Sequence, residues 1–453
     1  MRTRAWLLAI VLLPWQSAAA QTPTFRSGVE LIEVAVIARD RDGRLVSDLS
    51  QDDFQVLEQG VPQTIVAFDR VAVPMVRAVD AAARPVGGDV STNEGLSEAR
   101  VFVLLLDALH VAPQRSREVR RLARQFIEEH VRANDLVAVV SPGGLSAATQ
   151  DFTTDTARLL AAVDQFAGTK LRSAALEIAE EARSGVGELR VRPGSDPSDH
   201  ERAGRVQAIS STLETLARHL QRIERRRKSV LLFSEGIDYN QMDVMGRVQM
   251  SASDVTRAMT RALGALMRAN VSLYAVDPRG LTSPDGPLVE TQADGVARGS
   301  GSLANSVDQE FGDSIRSLRH VAESTGGFAA VDTNSFGGAF DRIVEESSTY
   351  YVLGYTPVKP GKPGEFREIR VRVSRPDLRI TARKGYVVPT SQRAAARADG
   401  SAFGNAPAMP YPRPAARPGA AAGGAELTAP VTVRRPAGDL QALLASPLPF
   451  GGL

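Results

Sequence analysis

One acid is singled out by the residues in front of it. Asp107 follows six consecutive apolar residues, 101–106, and such an unbroken run is typical of a strand buried on both faces of a parallel sheet. In open α/β sheets, ligands bind in the crevice outside the carboxyl ends of the strands. The sequence therefore predicts a site around Asp107, with His110 three residues further along the chain.

Five further polar residues stand next to the ends of apolar runs or on neighbouring loops: Ser141, Thr169, Ser234, Glu235 and Asp277. Because the carboxyl ends of parallel strands meet at one edge of a sheet, we expect these residues to share a crevice with Asp107 and His110. Carboxylates and hydroxyls in such a crevice suit either a hard cation or the polar groups of a partner.

The motifs of common catalytic sites are missing from the sequence. Ser234 follows an apolar run as a hydrolase nucleophile would, but its Phe-Ser-Glu-Gly context lacks the Gly-x-Ser-x-Gly elbow. The five histidines form no His-Glu-x-x-His pair, and no Gly-x-x-x-x-Gly-Lys loop is present to hold phosphates. The chain has no cysteine, which excludes thiolate catalysis, disulfides and cysteine-held metals. These observations favour a non-catalytic protein and leave a hydrolase as a less favoured alternative.

Apolar runs alternate with amphipathic stretches from residue 100 to residue 347. Strands separated by helices predict an α/β fold with a doubly wound, mostly parallel sheet and right-handed crossovers. Two stretches interrupt this pattern. The charged residues 171–205 are predicted to form an insertion, and the Gly- and Ser-rich residues 279–312 a long loop.

The flanking segments have a β pattern with turn residues between short runs. Residues 26–70 and 348–389 each contain about three predicted strands, which would be barely stable alone, so we expect one small antiparallel β domain built from both. Residues 71–99, with prolines and glycines among alanines, predict a linker. Residues 390–453 are rich in Ala, Pro, Gly and Arg, and predict a disordered tail.

The first twenty residues have the layout of a signal peptide. Arg2 and Arg4 precede a short apolar run, and Ala18 and Ala20 place small side chains at a cleavage site. No later run reaches 18 apolar residues, so we expect an exported protein, periplasmic or secreted, without a transmembrane segment. A net charge of +2 argues against a dedicated nucleic-acid surface.

Several short motifs resemble those of one family. They are the strand that ends at Asp107, the segments 229–236, 270–280 and 321–327, and the flanking segments 52–58 and 350–355. Together they resemble a von Willebrand factor type A domain, and the whole layout resembles the bacterial exported VWFA-related proteins. The resemblance covers roughly residues 26–389 in element order and short motifs. It implies a von Willebrand A or Rossmann-like sheet.

The resemblance also implies a metal site at the carboxyl edge of that sheet. Such domains bind a divalent cation through an Asp-x-Ser-x-Ser motif, a threonine and an acid, and the cation then binds a carboxylate of a protein partner. Asp107, Thr169 and Glu235 match this pattern, whereas Leu109 and Val111 occupy the two serine positions. Because leucine and valine offer no oxygen, we expect a degenerate site with weak or absent Mg²⁺ or Mn²⁺ binding, and no other cofactor.

The predicted function is that of an exported, non-catalytic protein-binding module of adhesion or scaffold type. A protein partner would contact the loop edge through Asp107, His110, Ser141, Ser234, Glu235 and Asp277. The alternative is a structural envelope component whose domain has no ligand site.

Overall fold

A computed structural model of the chain describes residues 31–73, 100–172, 197–223, 227–237, 249–281 and 301–388. The predicted signal peptide, most of the predicted linker, the middle of the 171–205 insertion and the predicted tail lie outside these residues. The strands are β1 (Ile32–Arg39), β2 (Phe54–Glu58), β3 (Val61–Gln63), β4 (Ile65–Ala72), β5 (Val101–Leu106), β6 (Leu136–Val140), β7 (Gln150–Thr153), β8 (Lys228–Phe233), β9 (Val271–Val276), β10 (Ala329–Ala330), β11 (Thr349–Tyr355), β12 (Phe366–Val373), β13 (Arg379–Ala382) and β14 (Gly385–Val387). The helices are α1 (Ser116–His130), α2 (Thr156–Asp164), α3 (Pro197–Leu220), α4 (Gln249–Arg268), α5 (Gly301–Ser324) and α6 (Phe336–Ser348).

The central sheet has six strands in the order β10-β9-β8-β5-β6-β7. All neighbouring strands are parallel except β7, which returns antiparallel to β6. The prediction of an α/β fold with a mostly parallel sheet is confirmed. β5 lies between β8 and β6 and is parallel to both. Asp107, which follows β5, is therefore flanked on both sides by the carboxyl ends of neighbouring strands.

Helices cover both faces of this sheet. On β5, Val103 and Leu105 pack into the core that the sheet shares with α3, α4 and α5. Phe102 and Leu104 pack on the other side, into the core shared with α1, α2 and α6. All four side chains are fully buried, and burial of each stabilises the fold by about 1.5–3 kcal/mol. The unbroken apolar run in the sequence reflects this two-sided burial.

Two predicted boundaries were wrong. α5 begins at Gly301, inside the stretch predicted as a loop to residue 312, and α3 begins at Pro197, inside the predicted 171–205 insertion. The sequence of α5 has apolar residues at four-residue spacing from its first turn, Leu303, Val307, Phe311 and Ile315, but the Gly and Ser content of this stretch favoured the prediction of a loop. Further along α5, Leu318 and Val321 pack into the core that includes the central sheet and so stabilise the helix.

The flanking segments form two antiparallel four-stranded sheets, ordered β13-β1-β11-β4 and β14-β12-β2-β3. β1 lies between β11 and β13, and β2 lies between β12 and β3. In the first sheet, strands from residues 31–73 alternate with strands from residues 349–388. In the second sheet, β2 and β3 from the first segment lie together beside β12 and β14 from the second. The two sheets share an apolar core that includes Val34 and Tyr351 from one sheet and Val56 and Ile369 from the other.

The two parts of the molecule meet through buried polar contacts. The backbone N–H of Arg227, which precedes β8, donates to the phenolic oxygen of Tyr350, on β11, at 3.0 Å. Arg383 donates to the carbonyl oxygens of Met267 and Glu33. Burial lowers the pKa of Arg383 to about 10. Within the described residues, no helix combines the length and the apolarity that crossing a membrane requires.

Candidate functional site

Asp107 lies at the centre of a buried hydrogen-bond network at the carboxyl end of β5. Its carboxylate lies 2.9 and 3.1 Å from Nδ1 of His110 and accepts a 2.9 Å hydrogen bond from the Ser234 hydroxyl. The backbone N–H of His110 also donates to it, at 3.3 Å. Asp107 and Ser234 are completely buried and His110 is 2% exposed. We call these three side chains the Asp107 network.

The loop that carries Ser234 is fixed by α5. The backbone N–H of Gly236 donates to the Ser234 hydroxyl at 3.2 Å, and that of Ile237 donates to the Ser317 hydroxyl at 2.9 Å. Gly236 has a φ of +126°, and a Cβ there would lie 2.4 Å from the Ser314 Cβ. This close approach requires glycine. The Ser234 hydroxyl is thus enclosed by protein, and a substrate would reach it only if the loop opened.

Glu235 follows Ser234 and binds an ammonium group instead of joining the Asp107 network. Its Oε2 lies 3.2 Å from Nζ of Lys170, and its Oε1 accepts a 2.8 Å hydrogen bond from the backbone N–H of Ala112. The Thr169 hydroxyl donates to the carbonyl of Ala108 at 2.9 Å. The three residues that the family resemblance assigned to a metal, Asp107, Thr169 and Glu235, thus surround one loop, and each is hydrogen-bonded to protein groups.

The two positions that would carry serines serve apolar packing. Val111 is fully buried, and its backbone runs against Gly168, where an added Cβ would lie 2.2 Å from the Val111 carbonyl oxygen. Leu109 packs on Gly143, whose φ is +70° and where a Cβ would lie 2.2 Å from the leucine side chain. The loop after β5 is therefore held by side-chain contacts with the loops after β6 and α2.

These residues do not fit a Mg²⁺ or Mn²⁺ ion. An octahedral site needs several oxygen ligands with free lone pairs, but the Asp107 carboxylate is engaged by His110 and Ser234, and Lys170 places a positive charge beside Glu235. Within the described parts of the chain, no group of three or more His, Cys, Asp or Glu side chains is placed to hold a metal ion. The ammonium of Lys170 provides the counter-charge for Glu235 that a cation would otherwise supply.

Asp277 and Ser141 lie at the same sheet edge but have other partners. Asp277 follows β9 and forms a two-pronged ion pair with Arg279, with 2.9 Å to Nε and 2.6 Å to Nη2. Ser141 follows β6, and its buried hydroxyl has no hydrogen-bond partner among the described atoms. The structure therefore brings Asp107, His110 and Ser234 into one network, and Thr169 and Glu235 beside it, while Asp277 and Ser141 belong to the neighbouring loops.

The outer surface of this edge differs from its buried interior. Leu145, in the loop after β6, is 64% exposed, and Leu281, in the loop after β9, is 66% exposed. An open cavity of about 470 Å³ lies beside Leu281. It is lined by the start of α1 and by the loops after β9 and β10. Sequence reasoning missed Lys170, Arg279 and this surface, although each basic residue stands within two positions of a predicted site residue.

No model of a known protein family matches the sequence, and no curated protein matches it either. The fold is that of an α/β protein with helices on both faces of a mostly parallel sheet, joined to a pair of antiparallel sheets.

Proposed function

We propose that this protein is an exported, non-catalytic protein-binding module with a von Willebrand A-like domain, and that it binds its partner through the loops at the carboxyl edge of the central sheet. The observation that carries the proposal is the contrast at this edge between the buried, hydrogen-bonded Asp107 network and the exposed apolar side chains of Leu145 and Leu281 on the outer surface. Leu145 and Leu281 are among the most exposed large apolar side chains of the described residues.

The two leucines are spaced for one partner. Leu145 follows β6 and Leu281 follows β9, and two strands, β5 and β8, lie between these in the sheet. Three strand spacings correspond to about 14 Å, which is within the width of one standard protein interface. Apolar side chains with polar surroundings on fixed loops are a common basis for protein recognition.

The interior of the edge is unsuited to turnover. Ser234 is the only residue there that the sequence suggested as a nucleophile, and its hydroxyl is buried and donates to Asp107. Acyl transfer needs an accessible nucleophile next to a base and an oxyanion site. The Asp107 network is better explained as a scaffold that orders the surrounding loops, and this explanation favours a binding module over a hydrolase.

Export and family membership are parts of the same proposal. The basic, apolar and small-residue regions of residues 1–20 support cleavage after Ala20. N-terminal sequencing of the exported protein should then begin at Gln21. The element order and the Asp107, Thr169 and Glu235 positions support the von Willebrand A-like assignment, with a degenerate metal site.

Site-specific photo-crosslinking tests the binding face. A photoreactive amino acid is placed at position 145 or 281 of the full chain in its native cells, and captured proteins are identified by mass spectrometry. Val66 and Val358 are matched controls, because they are 60% and 64% exposed but lie on the antiparallel sheets. We expect one and the same protein to be captured from positions 145 and 281 and not from the controls.

Two outcomes would contradict the proposal. Capture of that protein only from positions 66 and 358 would place the binding face on the antiparallel sheets. If no position captures a protein reproducibly, the alternative of a structural component without a ligand site is favoured.

A further inference from the structure

β4 is the edge strand of the first antiparallel sheet. It pairs with β11 on one side, and no described strand lies on its other side. The N–H of Val73, which follows β4, donates to the carbonyl of Ser348, which precedes β11. Alternate residues of an antiparallel strand direct their backbone groups to opposite sides, so the groups of β4 that face away from β11 are those of Phe68, Arg70 and Ala72.

These outward backbone groups have no partner in the described part of the chain. Among the described residues, no hydrogen bond reaches the N–H or C=O of Phe68, Arg70 or Ala72. Five of the eight residues of β4 are exposed. One of them is Asp69, which forms no ion pair with a described residue. An open row of backbone donors and acceptors is a template for a further strand.

The charges of β4 disfavour pairing with a second copy of the same strand. A two-fold antiparallel pair centred on Asp69 places that acid opposite its own copy, and a pair centred on the next residue does the same for Arg70. Like charges directly opposite each other destabilise a sheet. A complementary strand therefore carries a positive charge opposite Asp69 and a neutral residue opposite Arg70.

A segment near the C-terminus of the chain has this pattern. Residues 431–435 read Val-Thr-Val-Arg-Arg, and Pro430 and Pro436 flank them. β-branched residues favour strands. Proline has no N–H and is tolerated in a strand only where no backbone donor is needed, so the two prolines restrict how this segment can pair.

We propose that residues 431–435 add to the open side of β4 in the same molecule, as an antiparallel fifth strand with Arg434 opposite Asp69. This surface is separate from the loop edge of the central sheet, so the inference goes beyond the proposed function and does not depend on it. In this register, the residues that exchange backbone hydrogen bonds are Val431 with Ala72, Val433 with Arg70, and Arg435 with Phe68.

The prolines and the charges select this register. Pro430 and Pro436 both direct their ring nitrogens away from β4, where no donor is needed. A shift by one residue in either direction would place a proline opposite Phe68 or Ala72, each of which needs a donor. A shift by two residues in either direction loses the ion pair between Arg434 and Asp69. The prolines also leave the new edge poor in donors, which limits the addition of further strands.

The connecting chain is long enough for this pairing. There are 42 residues between Val388, the last described residue, and Val431, and when extended they span up to about 140 Å. Each antiparallel sheet is four strands wide, which is about 14 Å from the first strand to the last. The segment therefore reaches β4 of its own molecule, and the covalent connection gives it a high effective concentration there.

Hydrogen exchange of the full mature chain, resolved to single amides by mass spectrometry, tests the pairing. The outward N–H groups of β4 should exchange roughly tenfold faster in Arg434→Glu than in wild type, because two acids then lie opposite each other. Arg417→Glu makes the same change of charge outside residues 431–435 and should leave these rates within about twofold of wild type. The N–H groups of Asp69 and Val71 face β11, so their exchange should be the same in all variants.

An exchange of charges tests the predicted ion pair. Asp69→Arg alone should accelerate exchange of the outward amides as Arg434→Glu does. Combining Asp69→Arg with Arg434→Asp restores opposite charges at the same two positions and should return the rates to within about twofold of wild type. Absence of this rescue would show that the two side chains are not paired.

The chain has no cysteine, so introduced cysteine pairs test the register. Val71 and Thr432 would form a non-hydrogen-bonded pair with Cα atoms about 4.5 Å apart, which is within the range of a disulfide. Val71→Cys with Thr432→Cys should form an intramolecular disulfide under mild oxidation. Val71→Cys with Val433→Cys is the matched control and should form much less, because the side chain at 433 lies on the opposite face of the strand.

Three results would overturn the inference. They are equal exchange of the outward amides in wild type and in Arg434→Glu, equal disulfide yields in the two cysteine pairs, and disulfide-linked dimers in place of the intramolecular product, which would assign the segment to a second copy. Each of these results concerns β4 alone. Crosslinking from positions 145 and 281 is read separately, so failure of this inference would leave the proposed function intact.

Discussion

The phenol of Tyr355, on β11, donates a 2.6 Å hydrogen bond to Glu58, on β2, and so connects the two antiparallel sheets through their shared core. Glu58 also lies 2.5 Å from Nη2 of Arg367, on β12. Burial, and next the Glu58 contact, raise the pKa of Tyr355. The phenol therefore remains a donor at neutral pH, and Glu58 neutralises a buried arginine.

Substitutions of Tyr355 and of Glu58 should lower the free energy of unfolding by different amounts. Tyr355→Phe removes one hydrogen bond and should lower the free energy of unfolding by about 1–2 kcal/mol. Glu58→Ala leaves Arg367 buried without its counter-charge and should cost about 3–5 kcal/mol. Urea unfolding followed by circular dichroism measures both. Equal costs would show that Arg367 relaxes to solvent in the variant.

Deletion of residues 350–389 should unfold the strands formed by residues 31–73 as well. Both neighbours of β1 are lost with β11 and β13, and β2 keeps only the three-residue β3. Limited proteolysis with mass spectrometry should find new cleavage between residues 31 and 73. Deletion of residues 390–453 is the control and should leave the cleavage pattern of that segment unchanged. Full protection in the first variant would contradict the shared-sheet arrangement.

Mg²⁺ should produce no calorimetric binding signal at millimolar concentration. The Asp107 carboxylate is already bound by His110 and Ser234, and Lys170 supplies positive charge at Glu235. The free energy lost by displacing His110, Ser234 and Lys170 would exceed the free energy gained by binding the ion, because two hydroxyl ligands are missing from the site. Micromolar affinity for Mg²⁺ or Mn²⁺ that disappears in Asp107→Asn would show instead that the network opens to accept a cation.

Two glycine substitutions should act in opposite directions. A Cβ on Gly168 would lie 2.2 Å from the Val111 carbonyl oxygen, so Gly168→Ala should lower the free energy of unfolding by about 1–3 kcal/mol. Gly204 lies inside α3, and a Cβ added there has no atom within 4 Å. Gly204→Ala should therefore raise the free energy of unfolding by about 0.5–1 kcal/mol. Thermal unfolding gives both values. A neutral Gly168→Ala would mean that the loop after β5 is not packed as tightly as described.

Stability should fall as the pH rises above 10. Burial raises the pKa of Tyr274 above its ordinary value of 10.0. The unfolded chain therefore loses the phenolic proton first, and the stabilisation present below pH 10 declines as the pH approaches the folded-state value. Urea titrations between pH 8 and 11 should show a shallower decline in Tyr274→Phe than in wild type. Leu273→Ala, which changes no titrating group, should shift the curve without changing its slope.

The sequence predicted best the strands of the central sheet that are buried on both faces. β5 has the bounds of the predicted strand 101–106, and β6 and β9 those of the predicted strands 136–140 and 271–276, while β8 begins one residue before the predicted strand 229–233. These strands were predictable because burial on both faces leaves a largely unbroken apolar run. β3 and β14 were missed. Each has three residues, and Pro62 in β3 is a residue that strand patterns normally exclude.

The site was predictable only in its location. Strand ends placed Asp107 and Ser234 near each other, and the structure shows them 2.9 Å apart. The roles of Lys170 and Arg279 depend on long side chains that fold back on nearby acids, and no periodicity in the sequence encodes such contacts. The cavity beside Leu281 combines α1 with loops more than 150 residues further along the chain, so only the tertiary arrangement reveals it.

The position of the central domain between the flanking segments determines how the molecule can assemble. Ile32 pairs with Tyr355, 323 residues later, so β1 has no partner until almost the whole described chain has been synthesised. The N–H of Val73 donates to the carbonyl of Ser348 at 2.8 Å, which places the two connections of the central domain side by side. Once that domain has folded, the segment to be closed is effectively about four times shorter, which lowers the entropic cost of closure by about 1 kcal/mol. Until then β1 and β4 are unpaired strands that other chains can join. The topology therefore sets an order of assembly in which the centre forms first and both flanks follow together.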